Sequence, residues 1–320
     1  MYPNSGATIR ADLNSVVEEA SKADSFFIGS ILMPPLGVDA KSGTYPKLTK
    51  AITESMKPGS TRRERNGSYG QVKRAWTNDT YDTVDRGLEE AIDDTDVKDL
   101  SRYFSLESLT AKLVLRSMML DHEIRVKDAI FNETTFGSAT NSAVAYTEAN
   151  IATIDFPLDV MAAIERVADN AEEPNTIVMS PTVYDRVRRS KLLKDFLVGS
   201  NLPIANITPN LITSAFAANG IKQTLIGRAR YDSAVKKATQ TFSSAKVWSD
   251  TYVWVGRVEG GDFQSGGAGR TLVWNAEGGL FVTETYRKED IRSNMVRVRQ
   301  HTSEKIIDSS CGTLIATQWS

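Results

Sequence analysis

Between Leu106 and about Asn132 the apolar residues Leu106, Leu109, Leu113, Leu120, Ile124 and Phe131 recur by threes, fours and sevens. That spacing predicts one long helix, about 106–131, with these six on a common face. At 1.5 Å per residue such a helix is ~39 Å long. Leu115, Met118, Met119 and Val126 fall on its other faces, so it is expected to pack on more than one side. A second helix is predicted from Pro157 through "PLDVMAAIERVADNA", with Pro at its first turn and Val160, Ile164 and Val167 aligned. A third lies in "DLNSVVEEASKADSFF" and is stopped by "MPPLG".

Strand patterns dominate the second half. Ile177, Val178 and Met179 form a short apolar run, and "KQTLIGRARY", "AKVWSDTYVWVGRV", "RTLVWN" and "GLFVTETY" are rich in β-branched and aromatic residues. "TPNLITSAFAANG" reads as a helix closing on Gly220. Residues 157–285 therefore read as a compact α/β unit. From Met295 to Arg299 apolar and basic residues alternate, the mark of a half-buried strand.

Charge changes the picture between these segments. Residues 41–74 hold nine basic against two acidic residues, a balance of +7, whereas 78–99 hold nine acidic against two basic, a balance of −7. Asn66-Gly67 is a strong turn signal within the basic half. The pattern predicts a long two-stranded hairpin reaching into solvent, and its opposed charges make a second copy of the chain the expected partner. Over all 320 residues the net charge is only −2, which argues against a dedicated nucleic-acid binder. A single cysteine, Cys311, excludes an internal disulfide and a multi-cysteine metal site. No apolar run approaches the ~20 residues of a membrane span, and the first residues lack the layout of a secretory signal. Synthesis in the cytoplasm is expected.

The candidates for chemistry are weak. Ser180 follows an apolar strand and precedes Pro181, but the Gly-x-Ser-x-Gly of a hydrolase elbow is absent, since Val178 and Thr182 occupy the glycine positions. Ser180 reads better as a helix N-cap with Pro181 as the first helical residue. Of the two histidines, His122 lies in "DHEIR", which lacks the second histidine of a zinc helix and reads as a solvated helix face. "GGDFQSGGAGR" lacks the order of a phosphate loop and reads as a flexible connection. Cys311 reads as a small packed residue. No catalytic residue, cofactor or metal is assigned.

The order of the pieces resembles the major capsid proteins of tailed bacteriophages, with the Hong Kong 97 fold. "FFIGSILMPPLGVDAKSGTYPKL" looks like an N-terminal arm entering an extended E-loop, and "SLESLTAKLVLRSMMLDHEIRVKDAIFN" like the spine helix of a P-domain. "EEPNTIVMSPTVYDRVRRSKLLKDF", "LIGRARYDSA" and "KVWSDTYVWVG" are similar to A-domain segments, and "TYRKEDIRSNMVRVRQHTSEKIIDSSCGTLI" to the closing P-domain strands. The resemblance implies an α+β fold with the arm at 1–40, the E-loop at 41–85, the P-domain at 86–156 and 286–320, and the A-domain at 157–285. It implies a structural protein that self-assembles through hexamers and pentamers into an icosahedral shell around double-stranded DNA. The implied partners are other copies, a separate scaffolding protein (or a chain already processed), a portal protein and a decoration protein. The expected contacts between copies are Lys57, Arg62, Arg63, Arg65, Lys73 and Arg74 on the basic side. On the acidic side they are Asp82, Asp85, Glu89, Glu90, Asp93 and Asp94. An encapsulin-like compartment and, more remotely, an α/β hydrolase using Ser180 are the alternatives.

Overall fold

The computed structural model describes residues 8–23, 26–47, 62–63, 65, 67–69, 77–100, 105–137, 140–170, 173–197, 207–234, 243–263 and 265–318. The first half contributes β1 (Thr8–Ile9), α1 (Ala11–Ala23), α2 (Gly29–Leu32), β2 (Pro35–Val38), β3 (Ser42–Lys47), β4 (Thr77–Asp82), β5 (Val84–Asp93), α3 (Asp94–Leu100), α4 (Leu106–Ile130), α5 (Glu133–Phe136) and β6 (Thr140–Asn141). There follow α6 (Phe156–Asn170), β7 (Thr176–Met179), α7 (Pro181–Arg189), α8 (Lys191–Leu197), α9 (Pro209–Ala215), β8 (Gln223–Ile226), β9 (Arg230–Asp232), β10 (Ser244–Lys246), β11 (Tyr252–Gly256), β12 (Gly269–Trp274), β13 (Val282–Lys288), β14 (Ser293–Ile306) and β15 (Gly312–Ala316).

Two sheets organise these elements. In the larger, the 14-residue strand β14 pairs antiparallel with β5 along one edge, and with β13 and then β12 along the other. β1 and β2 extend β13 and β12 outward. In the smaller sheet the order is β6-β15-β11-β7-β8. Its register puts Val178, Trp254 and Leu314 in one row, and these side chains enter the same core as α4. Ile177, Met179, Val253, Val255 and Ile315 point the other way, into a second core with α6, α7 and α9. All four residues of β7 and all five of β15 are buried, so neither strand shows the alternation of a half-exposed one. Gly256 and Gly312 face each other across β11 and β15 because a Cβ on either would come within 2.3 or 2.6 Å of the Trp254 indole.

The structure revises the expected face of the long helix. α4 starts at Leu106 behind an N-cap, Ser105, and ends at Ile130, as the periodicity requires. Its buried side, however, is Ala111, Leu115, Met118, Met119, His122, Glu123, Val126 and Ile130, whereas Leu109 and Leu113 are exposed. Two overlapping apolar stripes compete on this helix, and the one carrying Leu115, Met118 and Val126 faces both sheets. Four strands also sit outside the expected units: β13, begun within 157–285, pairs with β14 in the larger sheet, and β6, within 86–156, pairs with β15 in the smaller one. β12, placed by sequence in the α/β unit, pairs with β14 in the larger sheet, and β15, placed with the terminal strands, is central in the smaller one. The glycine-rich stretch is likewise not a free connection. The buried Arg270 guanidinium donates to the carbonyls of Ser265 and Gly266 at 3.2 and 3.4 Å and gathers the loop around it.

The two stripes are separable by unfolding. Leu115→Ala, at 1% exposure, should cost ~2–5 kcal/mol. Leu113→Ala, at 52% exposure, should change the stability of the unassembled chain by no more than ~0.5 kcal/mol. Urea titrations of the two variants check this, and equal losses would mean that both stripes are buried within one chain.

Candidate assembly surface

β3 and β4 pair antiparallel from Ser42↔Asp82 to Lys47↔Thr77 and form the base of the predicted hairpin. A small core holds that base. Tyr45, with Val38, Tyr81, Leu272 and Ile307, is buried there, and its ring stacks on Phe263 of the glycine-rich loop at 4.7 Å. The Tyr45 hydroxyl donates to Asp79 at 3.3 Å, and Lys47 pairs with the same carboxylate at 2.8 Å, which holds Asp79 below the usual carboxylate range. Further out, Arg62, Arg63 and Arg65 are exposed. Arg63 donates to the Gly67 carbonyl at 2.6 Å and lies over the Tyr69 ring at 4.7 Å. Lys57, Lys73 and Arg74 lie outside the described residues.

The acidic candidates run along β4, β5 and the start of α3. Asp82, Asp85, Glu89, Glu90 and Asp93 are exposed, and Asp94 is half-buried. Several of these charges are answered within the chain. Glu89 accepts from Arg297 at 2.8 Å and from the Tyr286 hydroxyl at 3.0 Å, and the Arg297 hydrogen bond draws its pKa down. Asp94 is gripped bidentately by Arg287 at 2.6 and 2.7 Å. Arg299 pairs with Glu284 at 2.8 Å. These basic partners were not among the sequence candidates. Their signal was present, since the alternation Met295-Val296-Arg297-Val298-Arg299 puts the arginines on the face opposite Val296 and Val298.

The residues once considered for catalysis are structural. Ser180 is the N-cap of α7: its Oγ accepts from the Val183 N–H at 3.2 Å and donates to Asp250 Oδ1 at 2.5 Å. Asp250 Oδ2 accepts from Lys246 at 2.7 Å. No imidazole is among these partners. His301 packs edge-on against Trp274, with ring centroids 5.1 Å apart. His122 is buried rather than solvated, which overturns that expectation, because it lies on the stripe of α4 turned toward β12 and β14. The Thr271 hydroxyl gives its one hydrogen to the Met33 carbonyl at 2.9 Å, so its oxygen accepts from His122 Nε2–H at 3.2 Å. Glu304, 3.8 Å from that nitrogen, is bound by Arg125 through two further hydrogen bonds. Burial pushes the Glu304 carboxyl up, but the Arg125 guanidinium outweighs it and holds the group below its ordinary value. The neighbouring Glu123 accepts from the backbone N–H of Ile28 and Gly29 and from Trp248 Nε1, the last two at 2.6 Å. Cys311 is buried, as read.

No sequence-family model and no curated protein matches the chain. Among solved structures it is similar to a phage-related protein from Bordetella bronchiseptica RB50 (TM-score 0.69, 20% identity, 97% of each chain covered). It is also similar to a prophage capsid protein of E. coli CFT073 (TM-score 0.58, 10% identity, 98% of this chain and 99% of that one). A third likeness is to the capsid of Myoviridae phage XM1 (TM-score 0.53, 12% identity, 91% and 90%). These likenesses establish the fold, an α+β fold of the Hong Kong 97 type.

The buried imidazole sets a pH dependence. Burial lowers the His122 pKa to about 4 from its ordinary 6.5, so between these values the unfolded chain binds a proton that the folded one refuses. The contribution of this group is therefore intact above pH 6.5, falls as pH drops and is fully lost near 4. The loss is about 3 kcal/mol. His122→Gln keeps a donor for Thr271 and removes the titration, so the difference between parent and variant in denaturant titrations across that range isolates the effect. Parallel pH profiles would refute it.

Proposed function

We propose that the chain is the major capsid protein of a tailed phage, which self-assembles through hexamers and pentamers into an icosahedral head around double-stranded DNA. The observation that carries this reading is the end-to-end likeness in fold to phage capsid proteins, covering nine-tenths or more of the chain. On this reading the segment before β3 is the arm and the β3–β4 hairpin is the E-loop. The larger sheet with α4 is the P-domain, and the smaller sheet with α6 to α9 is the A-domain. The role is structural rather than enzymatic, and the location is the virion.

The hairpin supports it physically. A projecting two-stranded arm buries little surface of its own, and here a small core holds its base. Its exposed Arg62, Arg63 and Arg65 and the acidic row of β5 are complementary in sign. Each exposed pair is worth only ~0–1 kcal/mol, so charge sets partner and register while repetition over many copies supplies the strength. A scaffolding protein, a portal protein and a decoration protein are the further partners this role implies.

Size-exclusion chromatography and negative-stain microscopy of the purified chain, alone and with its scaffold, test the reading. Regular shells or isolated hexamers and pentamers are expected, and a chain that stays monomeric under all conditions would overturn it. DNA inside the shell is expected, and an enclosed enzyme would instead make it a protein compartment. Reversing Arg62, Arg63 and Arg65 together to Glu should abolish shells while the circular-dichroism spectrum and melting temperature of the monomer are retained. Normal shells from that variant would remove these residues from the contact.

A further inference from the structure

The chain leaves the larger sheet for the hairpin through residues 39–41, between β2 and β3, and returns through Thr83, between β4 and β5. Thr83 is 1% exposed and ties the two crossings together. Its N–H and its Oγ1 both donate to the Lys41 carbonyl, at 2.9 and 2.7 Å. Trp274, the last residue of β12, fastens the outgoing crossing to the sheet, since its Nε1 donates to the Asp39 carbonyl at 3.2 Å. The side chain against which Trp274 rests is His301 of β14, edge-on with ring centroids 5.1 Å apart. His301 is 3% exposed.

Nδ1 of this ring is buried and has no hydrogen-bond partner among the described residues. A neutral imidazole can leave one nitrogen bare, but the imidazolium carries an N–H on both. A charged donor buried without an acceptor is costly, so the place beside Trp274 accepts the neutral ring only. An acceptor lies one strand away. Asp85 stands directly across from His301 in the β5–β14 register and is exposed. The Asp94 N–H donates to the Arg292 carbonyl, which puts the His301–Asp85 pair at a non-hydrogen-bonded position, where facing side chains are closest. The other charged groups that act on the ring are Asp82 at the end of β4, Lys41 in the outgoing crossing and Arg299 on β14. Burial draws the His301 pKa below its ordinary 6.5, and Lys41 and Arg299 act in the same direction, while Asp85 and Asp82 oppose them.

We propose that His301 is an acid-operated latch at the root of the hairpin. The neutral ring packs against Trp274 and keeps both crossings fastened, whereas the protonated ring turns to Asp85 and releases them. The sign follows from linkage. The released ring takes up a proton at the ordinary 6.5 and the fastened ring refuses it, so release gains about tenfold for each unit of pH below that value. The latch is a property of the single chain. On the assembly reading above, it makes the direction of the hairpin depend on acidity.

The chain has two histidines, so His122→Gln leaves His301 as its one imidazole. In that background, single-residue hydrogen exchange on the unassembled chain, corrected for intrinsic rates, is followed from about pH 8 to about 5. The Thr83 amide should gain roughly tenfold in exchange, while the amides of Val296 and Val298 in the same sheet stay slow. Adding His301→Phe, which keeps a ring against Trp274 and takes no proton, should abolish the gain. Independently of that second substitution, the Trp274 indole N–H resonance should move in step with the titration of the His301 ring, with a midpoint below 6.5. A ring that titrates as a free imidazole, a Trp274 signal indifferent to it, or an equal gain at Thr83 in the Phe variant would overturn the latch. None of these outcomes bears on whether the chain forms shells, and a chain that never associates would remove the capsid reading while leaving the latch in place.

Discussion

Everything in the larger half of this molecule depends on one strand being used along both edges. β14 joins β5, which follows the hairpin, to β12 and β13, which follow the smaller sheet, so segments some 200 residues apart in sequence become neighbours. Its alternation then assigns every side chain. Val296 and Val298 enter the core under α4, while Arg297 and Arg299 face outward to Glu89 and Glu284. A one-residue slip would bury the arginines and expose the valines, so the register is strongly specified.

The mostly apolar seam between that sheet and α4 carries two buried polar side chains, His122 and Glu123. His122 reaches Thr271 and through it the Met33 carbonyl, while the next residue, Glu123, collects donors from Ile28, Gly29 and Trp248. Burial pushes the Glu123 carboxyl up, and the three donor groups oppose that shift. Each partner accepts or donates in a fixed direction, so the pair orients the 28–33 segment and the Trp248 loop in a way that dispersion forces would not. Ser180 serves similarly in the smaller sheet, capping α7 while bracing Asp250.

The charge balance that suggests assembly is partly consumed inside the chain. Glu89, Asp94 and Asp79 are answered by Arg297, Arg287 and Lys47, so the surface is less acidic than the sequence count implies. What remains on β5 is a row of exposed charges, Asp85 and Glu90 among them.

Local signals were enough to determine the long helix, the capped strand-to-helix step at Ser180, the left-handed Gly220 that closes the 3-10 turn after α9, the hairpin base and the alternating terminal strand. Each is set by neighbours within a turn or two, through periodicity, capping or a left-handed glycine. The order of these pieces was also enough for the resemblance to capsid proteins. What only the tertiary structure decided were matters of long-range contact: which of two apolar stripes on α4 is buried, that His122 lies inside, that β12 and β15 exchange places between sheets, and that Arg297 rather than a neighbour neutralises Glu89. A stripe or a charge carries no mark of its partner in the sequence. Which sheet covers it, and from which side, is settled only when distant strands meet in register.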